Sequence, residues 1–175
     1  MKSERLNIVQ CTIDILEAAI QSNEALAKKL GVNVLDQWSE FGPGPFSWVL
    51  EKLKDDPESL GWWTYFPIHI DDNTLIGSGG FKGPADENGY VEIGYEIAPK
   101  YRKNGYATEM AQAFIQFAES HQHINGVIAH TLAIENESTS ILKKCGFIKT
   151  NEIQDLEDGL IWRWEKQKAN PSTNI

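Results

Sequence analysis

One stretch of the 175-residue chain concentrates groups suited to holding an anion: Ile97-Ala98-Pro99-Lys100-Tyr101-Arg102-Lys103-Asn104-Gly105-Tyr106-Ala107-Thr108. A strand pattern ends at Ile97, a basic loop follows, and a helical pattern begins at a glycine. The first turn of a helix carries unsatisfied N–H groups and the positive end of the helix dipole, so phosphates bind there. Gly105 would let the backbone approach an anion closely, and Ala107 keeps the next turn thin. Lys100, Arg102 and Lys103 add positive charge beside it. The stretch has neither the Gly-Lys-Ser/Thr of a Walker loop nor the three-glycine spacing of a dinucleotide fingerprint.

The elements that must position this loop can be read on either side of it. Before it, Ser3 to Gln10 predicts a strand. Thr12 predicts the N-cap of one helix running to Leu30, with Gly31 as its stop. A loop ending in Gly42-Pro43-Gly44-Pro45 leads to a second helix near Phe46 to Lys54. Strands follow at Trp62 to Ile70, Leu75 to Phe81 and Tyr90 to Ile97, with turns at Asp71-Asp72-Asn73 and Gly83 to Gly89. After the loop, Asn104 to Gln122 predicts a helix with Ala107, Ala111, Phe114 and Ala118 on one face. Val127 to Leu132 is a strand, and Ser138 caps a short helix from Thr139 to Lys144. Phe147 to Ile153 and Leu160 to Glu165 are the last strands, turning at Asp158-Gly159. The expected class is therefore α+β, a mostly antiparallel sheet carrying one parallel crossover. A single domain over residues 3–166 is expected, with a polar tail over 167–175 that frays.

Composition narrows the function classes. The chain is 41% hydrophobic, enough for a full core, with no apolar run of the roughly 18 residues that a bilayer requires. The start, Met1-Lys2-Ser3-Glu4-Arg5, lacks the apolar stretch of a secretory signal, and two cysteines make no disulfide framework, so a cytoplasmic protein is expected. A net charge of −9 argues against broad nucleic-acid binding and favours a cationic small partner.

Arg102-x-x-Gly105-x-Ala107 resembles the Q/R-x-x-G-x-G/A motif of the GNAT superfamily of acyl-CoA-dependent N-acetyltransferases. Val91-Glu92-Ile93-Gly94-Tyr95-Glu96-Ile97 before it and Gly105-Tyr106-Ala107-Thr108-Glu109 after it resemble the branch containing ribosomal-protein alanine N-acetyltransferases. So does Asn136-Glu137-Ser138-Thr139-Ser140-Ile141-Leu142-Lys143-Lys144-Cys145-Gly146-Phe147. The order of elements fits that family from Ser3 to Glu165. The resemblance implies the GNAT fold, with a splayed parallel strand pair and flanking helices.

It also implies roles. Arg102 and the backbone of Lys103, Asn104, Gly105, Tyr106, Ala107 and Thr108 would bind the acetyl-CoA pyrophosphate. The strand ending at Ile97 would splay from Val127–Leu132, and the pantetheine arm would pair with its free backbone. Asn136 would reach the arm from the other side. The sequence reads Asn136-Glu137-Ser138 where the commoner spacing is N-x-x-S, so Glu135 competes with Asn136 for that place. Two roles are open to Ser138, a proton donor to the leaving thiolate or a plain N-cap. The tyrosine that many members carry one helical turn later is absent here, the region holding Leu142 and Lys143.

Acetyl transfer needs a neutral amine, and Glu92 is the candidate base that would deprotonate it. Strand alternation puts Glu92, Gly94 and Glu96 on one face, where burial would raise the carboxyl pKa. A structural or surface role is the other reading of Glu92. His121-x-His123, His69 and His130 read as structural, Cys145 as packing, and no metal is expected. Trp38, Phe41, Phe46, Trp48, Trp62, Trp63, Tyr65 and Phe66 read either as core or as an acceptor pocket. Glu40, Asp55, Asp56 and Glu58 would suit a cationic amine or are simply solvated.

The expected activity is acetyl transfer from acetyl-CoA to a primary amine by direct attack in a ternary complex. The acceptor is a small molecule or a protein N-terminus, with no nucleic-acid or membrane partner and room for a homodimer. A non-catalytic acyl-CoA-binding module of the same fold is the alternative, and a phosphate-binding protein of another fold a third.

Overall fold

A computed structural model describes residues 1–169. Its main sheet is built around β3 (Thr64–His69). One edge of β3 takes β1 (Leu6–Gln10), antiparallel, and the other takes β4 (Thr74–Leu75) and then β5 (Gly77–Phe81). The short β2 (Asn33–Val34) pairs with β4. β5 runs antiparallel to β6 (Tyr90–Ile97) from Gly77–Ile97 to Phe81–Ile93. β6 then meets β7 (Gly126–Leu132) in parallel, and β7 continues into β9 (Gly159–Gln167) and β8 (Ile148–Asp155).

Five α-helices are described: α1 (Ile13–Gln21), α2 (Asn23–Leu30), α3 (Gly44–Asp55), α4 (Tyr106–Glu119) and α5 (Glu137–Lys144). α4 forms the crossover between the parallel strands β6 and β7, as the sequence predicts. It buries Met110, Ala111, Phe114, Ile115 and Ala118 against Val91, Ile93 and Ile97 of β6. Each fully buried large side chain such as Phe114 stabilises the fold by roughly 1.5–3 kcal/mol. A second cluster lies under α1–α3, where Leu16, Leu26, Phe46, Val49 and Leu53 meet Trp38, Trp63, Phe66 and Leu75.

Three expected elements differ. The helix from Thr12 to Leu30 is two helices: Ser22 sits between them in extended conformation and accepts from the Ala25 N–H, competing locally with helix continuation. The strand from Leu75 to Phe81 is interrupted at Ile76. Past it, a Cβ on Gly77 would lie 2.1 Å from the Glu96 carbonyl oxygen, so only glycine allows the strands to approach this closely. The last helix is capped by Asn136 rather than Ser138. The Asn136 side chain accepts from the Thr139 N–H at 3.0 Å, and Thr139 Oγ1 accepts in return from the Asn136 N–H. No helix among the described residues is long and apolar enough to cross a membrane. The polar tail expected from residue 167 is described only as far as 169; residues 170–175 lie outside the described part.

Candidate active site

The site is built where β6 and β7 part. Their register runs only from Tyr90–Gly126 to Glu92–Ile128. From Ile93 onward β6 pairs with β5 alone, while Ala129 to Leu132 of β7 pair with β9 alone. The edge of β6 from Ile93 to Ile97 is therefore open, and a ligand with amide groups can pair with it.

At the far end of that edge lies the anion loop. Lys103 and Gly105 both have left-handed backbones, φ 63° and 84°, which turn the chain from β6 into α4. Gly105 is the N-cap residue, and no side chain caps the helix, so its first N–H groups face outward without an internal partner. The loop is fastened from behind. Asn104 Nδ2 donates to the Tyr101 and Arg102 carbonyls, and Arg102 Nε donates to the Ile97 carbonyl at 2.8 Å. Arg5 pairs with Glu109 at 2.7 Å, donates to the Asn104 carbonyl and lies 4.4 Å over the Tyr106 ring. The Tyr106 hydroxyl is 2.8 Å from His69 Nε2, while Asp72 holds His69 Nδ1 and accepts from Tyr101. A cleft of about 570 Å³ runs along α4 from Gly105 and Thr108 past Gln112, with Lys2, Arg5 and Lys144 on its walls.

Glu92 and Glu96 project from the other face of β6, as alternation requires. Glu96 accepts from Ser39 Oγ and Ser78 Oγ, each at 2.7 Å, and from the Glu40 N–H at 2.9 Å. It thereby fastens the loop before α3 to the sheet, and Glu40 of that loop also pairs with Arg102. Glu92 lies beside Lys82 Nζ at 2.5 Å and His130 Nδ1 at 3.0 Å, both close to its Oε1. These are ion-pair contacts, and Oε1 has no partner in hydrogen-bond geometry. Burial pushes the Glu92 pKa up, but His130 and Lys82 together outweigh it and hold the carboxyl below the usual glutamate value. That corrects the expectation of a raised pKa: the sequence shows the burying strand but not the two nitrogens that neighbouring strands bring to it.

On the α4 side of β6, Tyr95 is the polar residue among Ile93 and Ile97. Its hydroxyl is buried and has no hydrogen-bond partner among the described residues. Burial pushes its pKa up to about 12, with Ser138 acting in the opposite direction from nearby on α5.

The structure therefore brings together Ile97, Arg102, Lys103, Asn104, Gly105, Tyr106, Ala107 and Thr108 at one end of the open edge. The Arg102 guanidinium is engaged by Ile97 and Glu40, so its backbone is the part left for a ligand. Ser138 sits one residue inside α5. The side-chain oxygen of Asn136 is used for capping, and the Glu135 carboxylate is paired with Lys143 Nζ at 2.7 Å, so neither is a free acceptor. Sequence reasoning gave His130 a structural role and passed over Lys82, Arg5 and Tyr95; register across separate strands, which composition does not display, sets their positions. Most of the aromatics are core: Trp38 stacks on Phe46 and both meet Phe66 edge-on. Trp62 packs on Phe81, Phe117 and His121. Phe41, at 70% exposure, and Trp48, at 52%, stay exposed, Trp48 meeting Trp63 edge-on.

Comparison with known proteins agrees with this layout. Residues 16–148 match the model of the acetyltransferase (GNAT) domain, well over half of the 175-residue chain. A Bacillus subtilis protein named as an uncharacterized N-acetyltransferase, YjdG, is 29% identical over 150 residues, covering 85% of this chain and 89% of that one. The crystal structure of ribosomal-protein-S5-alanine acetyltransferase from Vibrio fischeri superposes with a TM-score of 0.70 at 13% identity, over 97% of each chain. The dodecameric spermidine N-acetyltransferase from Vibrio cholerae does so with a TM-score of 0.67 at 13% identity, over 94% of each. At these identities the two structures show a shared fold.

Proposed function

The chain belongs to the GNAT acetyltransferase family and is an acetyl-CoA-dependent N-acetyltransferase, and from that premise we propose that it acetylates a cationic primary amine by direct attack on the thioester. The acceptor is a polyamine-like small molecule or an exposed protein N-terminus. The observation that carries the reading is the uncapped, left-handed Gly105 junction at the end of an open strand edge.

The residues fit acetyl-CoA along its length. Pyrophosphate oxygens meet the free N–H groups at the head of α4, where charge-assisted bonds to backbone amides are strong. The nucleotide end lies in the cleft with Lys2, Arg5 and Lys144. The pantetheine arm lies along Ile93–Ile97, and a backbone N–H of this strand polarises the thioester carbonyl.

The amine arrives on the carboxylate face of β6. Its nitrogen bonds to the carbonyl carbon, the carbon–sulfur bond breaks, and CoA leaves as the thiolate. The amine's proton passes to the Glu92–His130 pair, with His130 as the acceptor and Glu92, 3.0 Å from Nδ1, stabilising the imidazolium that forms. This shifts Glu92 from base to partner of the base, because a carboxyl held below its usual pKa accepts a proton poorly. Ser138 borders the thiolate side. The acceptors named for the two structural neighbours, spermidine and a ribosomal-protein alanine, supply amines, which supports the acceptor class. The test is thiol release from acetyl-CoA against cationic, neutral and anionic amines. Turnover only with anionic amines would overturn the acceptor class.

A further inference from the structure

The Tyr95 hydroxyl is buried with no partner in hydrogen-bond geometry among the described residues, and a buried hydroxyl left unpaired costs stability that phenylalanine at the same place would not. It sits three residues past Glu92, the last β6 residue paired with β7, so it is about 10 Å along the strand on the open half. Its ring packs against the core, which holds the phenol in place. Ser138, from α5 on the far side of the gap, is its polar neighbour but does not meet it in hydrogen-bond geometry. The hydroxyl is thus a fixed donor on the α4 side of the gap between β6 and β7, with no acceptor in hydrogen-bond geometry among the described residues.

We propose that Tyr95 is a ligand-binding residue whose hydroxyl donates a hydrogen bond to a carbonyl oxygen of the acyl-pantetheine arm lying along the open half of β6. This rests on the acetyl-CoA reading above and adds a residue to it. The hydroxyl donates without giving up its proton. A phenol is ordinarily a weaker acid than a thiol and burial weakens this one further, so the bond is assigned to binding and orientation rather than to release of CoA. The acceptor is an amide carbonyl of the arm or the thioester carbonyl, and the two are separable by experiment.

Tyr95→Phe keeps the ring and removes only the hydroxyl. Its expected signature is a pair of effects that a structural hydroxyl would not give. The thermal midpoint of the ligand-free protein stays level or rises, because no internal bond is lost. Calorimetric affinity for acetyl-CoA falls roughly 3- to 10-fold, the size of one neutral hydrogen bond. An equal fall for CoA places the bond on a pantetheine amide, and a fall for acetyl-CoA alone places it on the thioester. Native affinity for both ligands in the variant would overturn the proposal, as would a midpoint several degrees below the native one. A native chain that binds neither ligand would overturn the acetyl-CoA reading itself, which is a different result from native binding that Tyr95→Phe leaves untouched.

Discussion

The two faces of β6 are finished differently. On one, Glu96 takes three hydrogen bonds from Ser39, Ser78 and the Glu40 backbone, and Glu92 is flanked by Lys82 and His130. On the other, among the described residues, Tyr95 has no partner in hydrogen-bond geometry, the strand edge past Glu92 has no neighbour on the β7 side, and no side chain caps the helix head beyond Ile97. The protein completes the carboxylate face from its own loops and strands. It leaves the helix-side face to be completed by a ligand. The difference follows from chemistry: a carboxylate is too costly to bury unpaired, whereas neutral N–H and O–H groups can wait for a partner at a modest cost.

The largest effect should come from closing the unfinished side. Gly105→Glu places a carboxylate where the pyrophosphate is proposed to sit, and CoA affinity should fall by more than about 10²-fold through like-charge repulsion. Gly105→Ala is the control. Both variants carry the left-handed strain at φ 84°, about 1–2 kcal/mol, and a Cβ there meets only Arg5 Nη2, at 3.4 Å. Calorimetry should find Gly105→Ala binding far more tightly than Gly105→Glu. Equal affinities would mean that the anion sits elsewhere.

Glu92→Gln probes the finished side. It should lower kcat about 10²-fold with little change in acetyl-CoA affinity, and the defect should shrink as pH rises and more amine arrives neutral. Stability gives an independent reading. The folded pKa of Glu92 is depressed, so its ionised form stabilises the fold above the unfolded value, 4.5, and that contribution is lost as pH falls through the folded pKa. Thermal midpoints of native and variant should differ at pH 7 and converge in acid. A gap that persists unchanged at pH 3 would separate Glu92 from this linkage.

How far the sequence reaches can be judged on these same residues. The Gly105 junction, the Tyr90–Ile97 strand and the parallel crossover are legible because they are local: a glycine before a helical period, an alternating run, a strand–helix–strand order. The break at Ser22 is less so, since an extended serine competes with a good helical pattern that runs through it. The pairing of Glu92 with His130, 38 positions later in the chain, is not legible at all. It depends on Glu92 facing Ile128 across a parallel ladder, a register between strands joined only through the α4 crossover. Asn136 shows a third case: its residue type suits a cap and a ligand contact equally, and the Thr139 side chain decides for the cap.

A smaller effect is expected where the finished face holds a loop. Glu96→Ala removes the acceptor shared by Ser39, Ser78 and the Glu40 N–H. These bonds are partly exposed, so their loss should cost about 2 kcal/mol in all, or a midpoint lower by roughly 4–8 °C. Residues 39–43 should become more open to proteolysis, while acetyl-CoA affinity stays within about 2-fold, since the helix-side face is untouched. An equal fall in acetyl-CoA affinity would show that the two faces are not independent.

The smallest effect concerns the charge that each face presents to solvent. The net charge is −9, yet Lys2, Arg5 and Lys144 outnumber Glu4 and Glu109 along the cleft beside α4, and Lys100 and Lys103 stand at its head. Basic groups are thus gathered where an anionic cofactor is proposed to bind, and the rest of the surface is more acidic than the total suggests. A cationic amine approaching the carboxylate face should be drawn by that excess. The attraction is long-range and screened: the Debye length falls from about 30 Å at 0.01 M salt to about 10 Å at 0.1 M. The apparent KM for the acceptor should therefore rise a few-fold over that interval, while kcat, which depends on contacts already formed, should hold. Acetyl-CoA is attracted to the basic cleft and should also bind more weakly with salt, so the acceptor KM must be measured at saturating acetyl-CoA. A neutral amine serves as the internal comparison, because its KM should be flat. If the cationic acceptor's KM were flat as well, long-range charge would have no part in choosing the acceptor, and selection would rest on contacts within the site.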